Sequence, residues 1–415
     1  MSAEAQAAEF EDDAALKETQ QTAADDQLAM EELTEASRVL ETLREHTETL
    51  MADHEPVRAS TVAAIRTSAN VALSRISDLP LPAMSMESMD ADSLHVTLEA
   101  ITEKLKQIWE AIKAALAKFF TSIANLFKTT GEKAGKAAEA TKQTIQQLEA
   151  VPASAPAPEP EKVNKPNILR HFTIGNKVPS DFLIQCNDAL HGLKWVFIDN
   201  GATEEHLEKL SRVIAGRPVD KLNDPDLAAD IVTFFSGVAK RYQAIKGGGN
   251  ANVPAESAGD PQLATGLLPG DVAISARYPS NGQSFTNAMA SCSIQVWHRQ
   301  GNVDNLTAPT NLTRAQLVEV LKTCDEFLSS MASFGQGSVA RIDALSKAIL
   351  TSGEQLVSRG TPETEGSLKT TVSTLNGYVH HVLQIRQVAM SYGYALCGSL
   401  NALAKQYAVD TSASA

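Results

Sequence analysis

The sequence predicts a mainly α-helical protein of the α+β type, with an N-terminal helical hairpin, a long amphipathic helix, a proline-rich spacer and a helix-dominated body with a small β-sheet. Three observations predict this fold. Only 5% of the 415 residues are aromatic, and alanine is abundant, which favours helices over sandwiches or barrels. Apolar residues recur every three to four positions over long stretches. Two short runs alternate between apolar and polar residues, as strands do.

Negative charge is concentrated at the N-terminal end of the chain. The net charge is −14, and residues 1–87 contain 18 acidic and 6 basic residues, whereas the remaining 328 contain 32 and 30. Such asymmetry is typical of an interaction tail or a removable segment. The acidic balance argues against a freely exposed basic surface that binds nucleic acid.

The first elements form a predicted hairpin of two helices. Residues 1–27 are acidic and polar, and we expect them to be disordered or loosely helical. Leucines at a rough helical period follow between residues 28 and 50, and a second apolar run lies at 57–76, with Pro56 between them. Because proline is tolerated in the first turn of a helix, the pattern predicts a helical hairpin. A short polar joint at 83–92 follows it.

The strongest helical period lies in residues 101–127. Its apolar face includes nine large residues: Leu105, Ile108, Trp109, Ile112, Leu116, Phe119, Phe120, Ile123 and Phe127. Three interpretations of this face are open: a core-facing surface, a packing surface for partner chains, or a surface that lies in a membrane interface. Gly131 and Gly135 predict a weakened helix there, followed by a second helix at 133–149. No run of 18 apolar residues exists, so we expect no simple transmembrane helix.

The clearest domain boundary is the segment 151–166, which contains five prolines and predicts a stiff, extended spacer. The predicted segments are an acidic helical segment (1–87), an amphipathic helical segment (88–150), the linker (151–166) and an α+β body (167–415). Within the body, the predicted helices are 179–197, 203–215, 225–246, 313–351 and 366–408, and the predicted strands are 271–278 and 291–298.

The cysteines do not form a disulfide or metal pattern. Cys186, Cys292, Cys324 and Cys397 are far apart and include no CxxC pair, which favours buried side chains in a reduced compartment. The N-terminus has neither a basic region nor an apolar core, so we expect no secretory signal.

Few patterns in the sequence indicate chemistry. Residues 335–340 fit the loose pattern G-x-G-x-x-A, but a helix-like run precedes them where a dinucleotide site needs a strand, so a helix joint is the better interpretation. The adjacent His380 and His381 point about 100° apart on a helix and cannot jointly bind one metal as an i, i+4 pair can. We expect no metal, no cofactor and no enzymatic activity, although a cleft uniting His298, His380 or Cys324 would favour an enzyme.

The order of features in the first 130 residues resembles a known family. The acidic helical segment contains LETLREHTETLMADHEPV, the joint ends in Ser85-Met86-Glu87, and SLHVTLEAITEKLKQIWEAIKAALAKFFTSIANLF follows it. Weaker echoes lie in NILRHFTIGNKVPSDFL, in LLPGDVAI and in the C-terminal helices. These features resemble the processed internal head (inner body) proteins of phiKZ-like giant tailed phages.

The resemblance implies a cleavage site. In that family a phage prohead protease cuts after the Glu of S/A-x-E, so the implied scissile bond joins Glu87 to Ser88. The tripeptide recurs elsewhere, but proteases need an accessible, extended backbone, and the copies at 29–31 and 137–139 are predicted to lie within helices. Ala157-Pro158-Glu159, in the spacer, is a possible second site.

The resemblance also implies a role. We expect a structural protein of the head interior that is made in the host cytoplasm, packaged during assembly with other phage head proteins, cleaved by the protease and ejected with DNA. Packaged DNA would lie nearby, but specific DNA binding is not predicted. The alternative is a membrane-active protein that uses the helix at 101–127 during genome entry.

Overall fold

The structure of the protein is a computed structural model. It describes residues 14–52, 57–76, 93–152, 158, 163–198, 202–222, 225–249, 251, 260–299, 306–309, 312–360 and 365–408. The helices are α1 (Ala14–Ala52), α2 (Ala59–Leu73), α3 (Ser93–Ala150), α4 (Pro166–Leu169), α5 (Phe182–Leu193), α6 (Trp195–Ile198), α7 (Ala202–Gly216), α8 (Pro225–Ala244), α9 (Phe285–Ala290), α10 (Arg314–Ser358) and α11 (Glu365–Ala408). The strands are β1 (Gln262–Ala264), β2 (Val272–Arg277) and β3 (Ser293–His298). The predicted fold class is confirmed.

The N-terminal hairpin has the predicted form, and its first helix starts earlier than the leucine period indicates. Helix α1 begins at Ala14, so the described part of the segment predicted to be disordered or loosely helical is a regular helix. Its Ala23 and Met30 are almost fully buried. Packing of these side chains against the body stabilises a stretch whose polar composition alone would not keep it folded.

Helix α3 is continuous over 58 residues, so the predicted weakening at Gly131 and Gly135 is wrong. The reason is tertiary packing. A Cβ atom at Gly131 would lie 2.7 Å from the Cα atom of Gly335 in α10, so the backbones of the two antiparallel helices approach closely at this pair. The helix joint predicted at 335–340 is also wrong, because these residues lie inside the continuous helix α10.

The three strands form one antiparallel sheet in the order β1-β2-β3. In the register of β2 and β3, Val272 lies opposite His298 and Ala276 lies opposite Ile294. Both predicted strands are therefore confirmed. The pattern missed β1, because a strand of three residues is too short to show alternation.

The described residues form two hydrophobic clusters that share α3. The smaller cluster joins α1 and α2 to the N-terminal half of α3, and the larger joins the rest of α3 to α10, α11 and the body. Helix α3 therefore belongs to both clusters, and α1 also reaches the larger one through Ala23 and Met30.

Candidate functional site

The apolar face of α3 is buried within the chain. All nine residues that the sequence singles out on this face are at most 8% exposed. Leu105, Ile108 and Ile112 belong to the smaller cluster, which α1 and α2 complete. The other six belong to the larger cluster. In the intact chain the face therefore serves as core, which is the first of the three interpretations, and the hairpin covers its N-terminal part.

Apolar side chains of the hairpin and of α3 form one buried cluster. The buried members from α1 and α2 include Leu33, Leu40, Val62, Ile65 and Leu73, and those from α3 include Leu94 and Ile101. Full burial of each large side chain contributes about 1.5–3 kcal/mol relative to an exposed one. Apolar burial therefore makes a favourable contribution to holding the hairpin on α3.

Two buried polar side chains fix the position of the hairpin on α3. The Asp26 carboxylate accepts a hydrogen bond from Ser122 Oγ at 2.5 Å and lies 2.7 Å from Lys118 Nζ. The Arg66 guanidinium donates from Nε to Thr97 Oγ1 at 2.7 Å. Because a buried charge without partners is costly, these contacts favour one position of the hairpin along α3 over others.

Glu41 is a third buried charged group on the hairpin. Burial raises the pKa of its carboxyl group above the ordinary value, although Arg44 and Lys369 of α11 oppose the shift. Arg44 Nη2 donates to Glu41 Oε1 at 2.6 Å. The hairpin thus carries buried charge at its contacts with both α3 and the C-terminal helix.

The predicted scissile bond lies between the described ends of the hairpin and α3. Ser85, Met86, Glu87 and Ser88 fall outside the described residues, which stop at Ile76 and resume at Ser93. The copies of the tripeptide at 29–31 and 137–139 lie within α1 and α3, as predicted. Both ends of the Ala157-Pro158-Glu159 copy fall outside the described residues.

The histidines and cysteines considered as catalytic or metal-binding groups do not converge. His380 is buried with its ring centroid 5.4 Å from that of Phe119, and burial lowers its pKa to about 3. Cys324 is buried in the core, whereas His298 is exposed at the end of β3. Within the described ranges, no group of three His, Cys, Asp or Glu side chains is placed to hold a metal ion.

Sequence reasoning missed a buried ion pair in the body. Arg386 of α11 pairs with Glu204 of α7, donates from Nε to the Val196 carbonyl at 2.9 Å and places its guanidinium 4.6 Å from the centre of the Phe334 ring. Burial lowers the pKa of Arg386. No local signal could reveal the pair, because its members are 182 positions apart.

The structure thus defines a helix-rich protein organised around one long helix, with an N-terminal hairpin packed along part of it. A family model for phiKZ-like phage internal head proteins matches residues 6–406. Since the match covers nearly the whole chain, the protein belongs to the phiKZ-like phage internal head proteins, as the resemblance implied, and it is a structural protein inside the phage head. No curated protein and no solved structure matches the chain. Among the described helices, none is both long and apolar enough to cross a membrane.

Proposed function

We propose that this protein is a non-enzymatic component of the head interior whose acidic N-terminal segment is removed by the phage prohead protease after Glu87. The observation that carries the proposal is the position of the joint. Both helices of the hairpin end before residue 77, and α3 begins at Ser93. A single cut in this joint separates the complete hairpin from the body without dividing a described helix.

The charge distribution supports the same cut. Residues 1–87 carry a net charge of −12, and the rest of the chain carries −2. Because packaged DNA is a dense polyanion, the acidic segment would oppose close packing of the protein against it. Loss of the segment leaves a nearly neutral body that can remain among packaged DNA.

Loss of the hairpin would also uncover a surface. Leu105, Ile108 and Ile112 of α3 are buried in the cluster that α1 and α2 complete, so departure of the hairpin exposes them. Exposed apolar patches of this kind are typical of protein–protein contacts. We propose that other phage head proteins bind this uncovered part of α3 in the mature particle.

The test is to co-express the full chain with the phage prohead protease and to determine the N-terminus and intact mass of the product. The expected product begins at Ser88. The substitution Glu87→Gln should leave the chain uncut, and the matched control Glu159→Gln should be cut at residue 87 like the unmodified chain. A product that starts before Ser88, or equal cutting of Glu87→Gln, would refute the proposed site.

A further inference from the structure

We propose that the body contains a binding site for a small organic anion with an apolar part. The site is a cavity of about 580 Å³ beside the middle of α11, a size within the usual range for small-molecule sites. It lies between the 3₁₀ turn at Arg170–Phe172, the turn that precedes β2, the end of β3 and α11. This inference is independent of the cleavage proposed above.

The inner wall of the cavity is apolar. Val388 and Leu396 of α11 and Val272 of β2 line it and are at most 8% exposed. Tyr392 lies beside them, and its hydroxyl donates to the Pro269 carbonyl at 3.0 Å. Because this contact occupies the donor of the tyrosine, the wall presents mainly hydrocarbon and ring surface to a ligand.

The outer part of the cavity is basic. Its lining includes Arg170, His171, His298 and Arg299, and of these Arg170, His298 and Arg299 are exposed. Arg170 and His171 are adjacent in the sequence, and so are His298 and Arg299. The two pairs are 127 positions apart in the chain and come together only in the fold. Two permanent guanidinium charges at one opening favour an anion there, since arginine presents several N–H donors in a fixed plane that suits carboxylate and phosphate groups.

The lining contains one acidic side chain, Asp271, so its two guanidinium groups outnumber its single carboxylate. Asp271 is 4% exposed. Its Oδ1 accepts from the backbone N–H of Gly175 at 2.6 Å, and its Oδ2 accepts from that of Asn176 at 3.1 Å.

Hydrogen bonds around Asp271 also join the segments that form the walls of the cavity. Asp271 has a φ of +58°, a left-handed conformation that is uncommon for residues other than glycine. The backbone N–H groups of Gly270 and Asp271 both donate to the Thr173 carbonyl, and the Arg299 N–H donates to the Asp271 carbonyl at 2.9 Å. The turn before β2, the segment after the 3₁₀ turn and the end of β3 are thus joined before any ligand arrives. Preorganised walls reduce the entropic cost of binding.

Together these features specify the ligand class. An anionic head would contact Arg170 and Arg299 at the opening, and an aliphatic or aromatic body would lie against Val388, Tyr392 and Leu396. Gln384, Gln387 and Ser391 of α11 also line the cavity and add neutral polar groups to its wall. A long-chain carboxylate and a nucleoside monophosphate share this chemistry.

The test uses the full chain and a fluorescent probe of the same class, 8-anilinonaphthalene-1-sulfonate, titrated at fixed ionic strength. We expect saturable binding that weakens at least tenfold in two variants. Arg299→Glu reverses a charge at the opening, and Ala395→Phe fills the cavity from the partly exposed side of α11. The control Arg212→Glu reverses an exposed charge on α7 and should bind the probe normally.

Competition then distinguishes the two ligand sources. Decanoate and deoxyadenosine monophosphate are added to the probe complex, with decanol and deoxyadenosine as uncharged controls. Displacement by either anion, without displacement by its uncharged control, supports the proposal and identifies the body that the cavity prefers. Unchanged probe binding in Arg299→Glu would overturn it, and so would equal displacement by the uncharged controls. Arg299→Glu keeps the test valid if Ala395→Phe fails to fold, because Arg299 lies at the surface.

Discussion

At the scale of single residues, breaking the buried ion pair of Arg386 and Glu204 should have a large effect on the free energy of unfolding. Arg386→Met removes the cation and leaves the Glu204 carboxylate buried without its partner. We expect unfolding in urea to show a loss of about 3–5 kcal/mol, because the remaining charge is not solvated. The double variant Arg386→Met/Glu204→Met should recover much of the loss. If the double variant is as unstable as the single one, packing of the Arg386 stem, and not the charge, determines the effect.

The buried histidines predict how stability depends on pH. His380 has a pKa of about 3 in the fold, against an ordinary value of 6.5. As the pH falls below 6.5, His380 binds a proton in the unfolded chain, but in the folded protein it stays neutral until about pH 3. The free energy of unfolding is therefore unaffected by the titration of His380 above pH 6.5 and decreases progressively as the pH falls from 6.5 to about 3. Burial lowers the pKa values of His206, to about 4, and of His381 as well, so both add to the same trend.

Replacing His380 should flatten this dependence. In His380→Leu, the loss of unfolding free energy between pH 7 and pH 5 should be smaller than in the unmodified chain by about 2 kcal/mol. Urea unfolding at the two pH values measures the difference. The control His298→Leu changes an exposed histidine and should keep the original slope. Equal slopes in His380→Leu and the unmodified chain would show that His380 does not titrate as its burial indicates.

At the scale of elements, the close approach of α3 and α10 depends on the absence of side chains at Gly131 and Gly335. A Cβ at Gly335 would lie 2.7 Å from the Gly131 Cα and 2.8 Å from the Phe127 carbonyl oxygen. Neither backbone can move without displacing a long helix, so we expect Gly335→Ala to lower the unfolding free energy by about 1–3 kcal/mol.

A glycine two positions away provides the control for this prediction. Gly337 is exposed in the same helix, and a Cβ there would meet only the end of the Arg341 side chain at 3.2 Å. Gly337→Ala should therefore stabilise the protein by up to about 1 kcal/mol through helix propensity alone. Urea unfolding of both variants measures the contrast. A stabilising Gly335→Ala would show that the helices do not approach as closely as described.

These elements also show what the sequence can and cannot predict. The apolar period of residues 101–127 predicts an amphipathic helix because burial repeats with the helical turn. The glycines mislead, because helix propensity is local, whereas the contact between Gly131 and Gly335 joins residues about 200 positions apart. The cavity is invisible for the same reason, since Arg170 and Arg299 carry no local signal that they share an opening. Periodicity therefore predicts elements, and contacts between distant elements decide the sites.

At the scale of the whole molecule, α3 packs both against the body and against α1 and α2. The proposed cut would affect the covalent connection of these two neighbours to α3 differently. The body and α3 remain in one chain after the proposed cut, whereas α1 and α2 become a separate fragment. The cut itself removes no described contact between the hairpin and α3. The apolar interface, with Asp26 and Arg66 as its polar contacts, therefore continues to hold the fragment until dilution, a second cut or a competing partner removes it.

After the cut, the fragment and the body should therefore have a measurable affinity for each other. A site for a sequence-specific protease, introduced in place of residues 83–88 of the full chain, allows the cut to be made in the folded protein. At micromolar concentration the fragment should stay bound and co-elute with the body. Leu40 is fully buried, and Leu40→Ala should cost about 2–5 kcal/mol of interface energy and raise the dissociation constant at least about thirtyfold. Leu28→Ala, at a position that is 55% exposed, should leave it unchanged. If the fragment leaves at once at this concentration, the hairpin is held mainly by its covalent link, and cleavage alone is enough to uncover α3. If the two substitutions act alike, the buried contacts of Leu40 do not hold the fragment.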